Sequence, residues 1–191
     1  MTGIGARRSK ASTAVGAIES SLAALLFLLL SIPAAAQPRR PEVFGFSGAA
    51  RLSEDEGSLG NGPVFGGAVT LPFARRWAVD LDLMHFRSAR EESGFRFGGN
   101  RTLFVPALQF RGGGQRSYGF AAFGAGVAAS GTWSEHGGSR VHDRDTGLTL
   151  HTRAGFVAAI TGRWLLRADI FLAFRYVAPD FGVRAGVGYR F

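Results

Sequence analysis

The last eleven residues, 181–191 (FGVRAGVGYRF), alternate without a break. Phe181, Val183, Ala185, Val187, Tyr189 and Phe191 are apolar or aromatic, and Gly182, Arg184, Gly186, Gly188 and Arg190 between them are tiny or charged. A period of two is the signature of a β-strand whose faces meet different surroundings. Two architectures offer that contrast. In a soluble sandwich the apolar face points to a core; in a membrane barrel it points to lipid and the polar face lines the interior.

The opposite end of the chain bears on the choice. Residues 1–36 combine a basic stretch (Arg7, Arg8, Lys10), an apolar run over Leu22–Ile32, a helix-breaking Pro33 and the small residues Ala34, Ala35 and Ala36. These are the parts of a secretory signal peptide, with cleavage expected after Ala36 and export by the general secretory route. The apolar run is too short for a spanning helix, and no later run approaches the ~20 apolar residues one requires. A mature chain residing in a membrane must therefore cross it as a closed barrel. The chain has no cysteine, which excludes disulfides, thiolate metal sites and a lipid-modified N-terminus. Its net charge of +8 comes almost entirely from arginine, and the arginines are dispersed, so no nucleic-acid partner is expected.

After a short lead-in at 37–41, eight alternating segments are predicted, near 42–52, 63–71, 76–86, 101–111, 117–129, 147–159, 164–176 and 181–191. The gaps alternate long (53–62, 87–100, 130–146) with short (72–75, 112–116, 160–163), and only the last, 177–180, is short where a long one is due. Long loops at one end and tight turns at the other mark an up-and-down transmembrane barrel. The expected fold class is thus an all-β, eight-stranded antiparallel barrel over 42–191, preceded by a cleaved signal peptide. Two short turns lead into matching Arg-Trp segments, at Arg76-Trp77 and Arg163-Trp164. Tryptophan suits a membrane–water interface, so Trp77 and Trp164 are expected in an aromatic girdle. Pro106 falls inside the fourth segment, where it cannot donate to a ladder, and a bulge is expected there.

The first segment sets Phe44, Phe46, Gly48, Ala50 and Leu52 against Ser47 and Arg51. With the apolar set outward, the expected interior charges are Arg51, Asp80, Asp82, Arg153, Arg167, Asp169, Arg175, Arg184 and Arg190. Buried charges must pair, so these predict a network of charge-assisted bonds filling a lumen that is just wide enough for side chains. The alternative is a narrow path for small anions. Catalysis is not expected. Asp80 and Asp82 share one strand face, as a salt-bridged interior also requires. His85 near Ser88, and His151 near Thr152, lack the ordered partners of lipid-modifying enzymes. His136, His142, Asp143 and Asp145 read as a solvated loop rather than a metal site. No cofactor is expected.

The Gly/aromatic hairpins, the Arg-Trp turns and the terminal Phe191 carry a resemblance to the small eight-stranded outer-membrane barrels of Gram-negative bacteria, the OmpA-, OmpX- and OmpW-like superfamily. The resemblance spans residues 42–191. It implies an outer-membrane location, outer-membrane lipid as a partner, and an assembly signal at Val187, Tyr189 and Phe191 read by the barrel-assembly machinery. It specifies architecture rather than activity: such barrels serve as membrane anchors, adhesins, small porin-like channels and lipid enzymes. No extracellular partner or oligomeric state follows from it.

Overall fold

A computed structural model describes residues 40–54, 57–92, 94–114, 116–136, 139–175 and 179–191. The expected signal peptide and its cleavage site lie outside the described residues. The rest is a closed antiparallel barrel in which eight strands pair in chain order: β1 (Glu42–Glu54), β2 (Gly57–Pro72), β3 (Trp77–Glu92), β4 (Phe95–Gly113), β5 (Ser117–His136), β6 (Ser139–Ala159), β7 (Trp164–Phe174) and β8 (Asp180–Arg190). β1 and β8 close it, with Glu42 opposite Arg190 and Arg51 opposite Phe181.

Alternation along each strand sorts side chains between lumen and exterior. Phe65, Leu83, Phe123, Phe156, Trp164, Ile170 and Val183 stand exposed on the outer wall, Phe123 at 62%. Their strand neighbours, such as Val64, Met84, Ala122, Val157, Phe171 and Arg184, are buried. A continuous exposed apolar surface is the mark of an interaction or membrane-facing wall. At the end with the short turns the surface is aromatic: Trp77 packs edge-on against Phe110 with 5.1 Å between ring centroids, and Trp164 against Tyr189 at 5.5 Å.

Three expectations are corrected here. The long gaps are strand rather than loop. β1 and β2, β3 and β4, and β5 and β6 run on to connections of about two residues. Above the apolar surface both faces meet water, so the polarity contrast fades while backbone pairing continues, as in the pairs Arg90↔Phe97 and Ser134↔Val141. Gly94, at φ 80°, supplies the left-handed backbone for the β3–β4 turn. The second correction concerns Pro106, which causes no bulge. Phe104↔Val127 and Ala107↔Gly124 hold one register across it, and only the pairs between them drop out. On its other edge Pro106 still opposes Leu81 of β3, so the missing N–H faces β5. Leu103, Val105 and Ala107 all point into the lumen.

The third correction is the orientation of β1. Phe44, Phe46, Ala50 and Leu52 are buried in the lumen, and Arg51 is exposed on the outer wall, where its Nε donates to Ser58 Oγ at 3.0 Å. Arg51 is not part of the interior charge set. The outward set of β1 is Val43 followed by the small residues Gly45, Ser47 and Ala49, and the phenylalanines have a use inside.

Candidate functional site: the occluded lumen

The centre of the lumen is a balanced cluster of three carboxylates and three guanidiniums. Asp80 and Asp82 come from β3, Arg153 from β6, Arg167 and Asp169 from β7, and Arg184 from β8. Both β3 carboxylates have 0% exposure. Arg184 grips Asp82 with both terminal nitrogens, at 3.0 and 2.5 Å, while its Nε donates to Asp169 Oδ1 at 2.6 Å. Arg153 donates to Asp80 Oδ2 at 2.5 Å and also meets Asp82. Arg167 donates through Nε to Asp169 Oδ2 at 2.7 Å and approaches Asp80 at 3.4 Å. Thr70 completes the shell of Asp80, its hydroxyl donating to Oδ1 at 2.9 Å.

The phenylalanines of β1 belong to this cluster. Arg184 lies 3.8 Å from the centroid of Phe46, and Arg167 lies 5.2 Å from Phe44 and 4.5 Å from Phe120. A guanidinium offers its edge to carboxylates and its flat face to aromatic rings, so one side chain satisfies both. Glycines on the inner face of β8 make room. The Phe44 ring lies over Gly188 and the Phe171 ring over Gly182, where a Cβ would collide.

Toward the short-turn end the cluster continues through Gln109. Its amide donates to Asp80 Oδ2 at 3.3 Å and its carbonyl accepts from Arg111 Nε at 2.7 Å. Arg111 reaches Glu42 at 3.1 Å, Tyr118 donates its hydroxyl to the same carboxylate oxygen, and Arg190 binds the other oxygen at 2.9 and 2.7 Å. A single connected polar chain thus runs from Arg190 at the barrel mouth to Arg184 at mid-height. Of the expected interior set, Asp80, Asp82, Arg153, Arg167, Asp169, Arg184 and Arg190 meet in it. Arg175 lies apart, near the hairpin end, bonded to Ser130 Oγ and to Asp145 at 2.5 Å. Sequence reasoning missed Glu42, Arg111, Gln109 and Tyr118. Glu42 was detectable, because it shares its parity with Phe44 and Phe46 and stands opposite Arg190.

Above the charged cluster lies a dry layer. Leu52, Val64, Met84, Phe86, Leu103, Val105, Ala128 and Phe171 pack together at or near full burial. Phe86 and Phe171 meet with ring centroids 5.6 Å apart. Over this layer a second ion pair, Arg101 with Asp180, is flanked by Ser53, whose backbone N–H donates to Asp180 Oδ1 at 2.8 Å, and by Ser130, which accepts from Arg101 Nε at 2.8 Å. Asp180 and Arg101 were likewise missed. In the sequence Asp180 falls in a gap between segments, and Arg101 stands at the start of one.

The histidine candidates do not assemble. His151 is buried against Phe171 while Thr152 faces outward; His85 faces outward while Ser88 is buried. His85 bonds Thr102 across the strands at 2.9 Å. His142 and Asp143 occupy opposite faces of β6, and among the described residues no three metal-binding side chains converge. Of the expected assembly residues, Val187 and Tyr189 lie on the outward face of β8 and Phe191 follows its end, with Tyr189 and Phe191 in edge-to-face contact at 5.3 Å.

No family model and no curated protein matches the chain. Its structure does match solved ones. The attachment invasion locus protein Ail of Yersinia pestis superposes with a TM-score of 0.60 at 16% identity, covering 81% of this chain and 99% of that one. The Neisserial surface protein A gives 0.55 at 17%, covering 79% and 97%. The outer membrane protein OprG of Pseudomonas aeruginosa gives 0.55 at 10%, covering 82% and 98%. At these identities the likeness concerns architecture: the chain has the eight-stranded barrel fold of these proteins.

Proposed function

We propose that this protein is an integral outer-membrane barrel with a closed lumen, acting as a structural or surface-interaction element rather than as a catalyst or channel. The observation that carries the reading is the stacking of the interior. A buried cluster of paired charges and an apolar layer of Phe86, Phe171, Met84, Leu103 and Leu52 lie one above the other. A conducting path would have to break both. The exposed apolar wall supports insertion in a bilayer, with Trp77, Phe110, Trp164 and Tyr189 at its periplasmic rim and the long hairpins outside the cell. The similar Yersinia and Neisserial proteins bear names of attachment and of the cell surface, which agrees with a role carried by the hairpins. Signal-peptide export and an assembly signal in β8 belong to the same reading.

Two measurements test it. The mature chain should fractionate with outer membranes and migrate differently on gels before and after heating; a soluble periplasmic species defeats the proposal. In planar bilayers the protein should give no steady conductance. Discrete anion-selective openings that vanish on Arg167→Ala would establish the channel alternative instead.

A further inference from the structure

One cavity opens on the outer wall of the barrel. A groove of about 540 Å³ is lined by residues of β3, β4, β5 and β6, and most of them have outward parity. Three rows of cross-strand neighbours build it. The lowest is His85, Thr102 and Ala129; the next is Arg87, Asn100, Gly131 and Arg144; the uppermost includes Gly98, Trp133 and His142. Arg87 and Arg144 stand three strand spacings apart, roughly 14 Å, with only Asn100 and the side-chain-free Gly131 between them. The groove is concave for that reason. Its upper wall is the Trp133 ring, which lies across Gly98 where a Cβ would collide.

Its height on the barrel is informative. Directly below on the same strands are Leu83, Phe104, Val127 and Leu148, the upper edge of the apolar surface. Arg87 and Arg144 are exposed, and among the described residues neither guanidinium forms an ion pair. The one carboxylate in the lining, Asp143, accepts a bond from the backbone N–H of Arg144 at 2.8 Å.

We infer that this groove binds the phosphorylated headgroup of a membrane glycolipid in the outer leaflet, with its acyl chains lying on the apolar wall beneath. This rests on the barrel being membrane-inserted as proposed above. A lipid standing against β3–β6 brings its headgroup to the level of Arg87 and Arg144. An elongated headgroup with a phosphate at each end suits two guanidiniums held apart, each a strong donor to phosphate oxygens. Asn100, Thr102 and His85 offer hydrogen bonds to the hydroxyls of its sugars.

The test uses the full mature barrel in phosphatidylcholine nanodiscs doped with bis-phosphorylated lipid A, its dephosphorylated form, or phosphatidylglycerol, with retained lipid counted by native mass spectrometry. Heat-shifted gel mobility is checked first, so that a failure to insert is recognised as a failure of the membrane reading. Wild type should retain bis-phosphorylated lipid A in preference to the other two lipids. Arg87→Ala with Arg144→Ala should weaken retention by about tenfold or more, whereas Arg51→Ala, on the far wall, should leave it unchanged. Equal retention of the dephosphorylated form, or equal retention by the double variant, overturns the inference. Equally tight binding of the acyl-free bis-phosphorylated disaccharide to the barrel in plain nanodiscs overturns the lipid as its source.

Discussion

Two sets of ion pairs in this barrel use the same chemistry in opposite surroundings. At mid-lumen, Arg184 and Asp82 are sealed from solvent and have further charged partners on two other strands, Asp169 of β7 and Arg153 of β6. In the β3–β4 hairpin, Glu91 and Arg96 face each other across the ladder at 3.8 Å with side chains 71% and 62% exposed. Removing one partner of a buried pair strands a charge that has no water to turn to, whereas an exposed charge is simply rehydrated. The middle of the barrel therefore holds its shape through obligatory bonding. The hairpins hold theirs mainly through backbone pairing.

Substitutions can break or sharpen that contrast. Asp82→Ala should have the largest effect, because it leaves both Arg153 and Arg184 short of a carboxylate. A loss of about 3–5 kcal/mol is expected, read as a lower urea midpoint for the reconstituted barrel. Phe171→Ala should come next, costing about 3 kcal/mol for the void it opens in the dry layer, in the same unfolding assay. If it costs more than Asp82→Ala, packing rather than ionic bonding dominates the lumen. Thr70→Val removes one donor to Asp80 while keeping the shape, and about 1–2 kcal/mol is expected. Glu91→Gln in the hairpin should stay within about 0.5 kcal/mol. A loss of several kcal/mol there would erase the distinction between the two regions.

The same contrast explains what the sequence reveals. Where one face is the exposed apolar wall and the other the lumen, alternation is forced, and Leu166 through Phe174 against Arg167 and Asp169 can be read directly. Above the apolar wall the two faces share one solvent. Residues 130–146 then look like a loop, although 130–136 and 139–146 continue the β5–β6 ladder. β1 misleads for a different reason. Aromatic residues are ordinarily assigned to lipid, but Phe44 and Phe46 lie inside as platforms for Arg167 and Arg184, so the strand reads inside out and Arg51 is misplaced with it. Arg101, Arg111 and Asp180 are not legible in the sequence because single charges near segment ends carry no periodic signal. Their partners, Asp180, Glu42 and Arg101, come from distant strands.

The seam between β1 and β8 sets a kinetic problem. Every other strand pair is a hairpin between chain neighbours, but Glu42 and Arg190 meet across 148 positions of sequence. Closing so long a loop is entropically the most demanding pairing in the molecule, and such non-local contacts form late. Until then the nascent sheet has two open edges, each a template for a wrong partner. The carboxylate of Glu42, held by Arg111 and Tyr118 on one side, waits on Arg190 for the other. Completion of that four-residue knot marks the moment at which an adhesive ribbon becomes a ring with nothing left to pair.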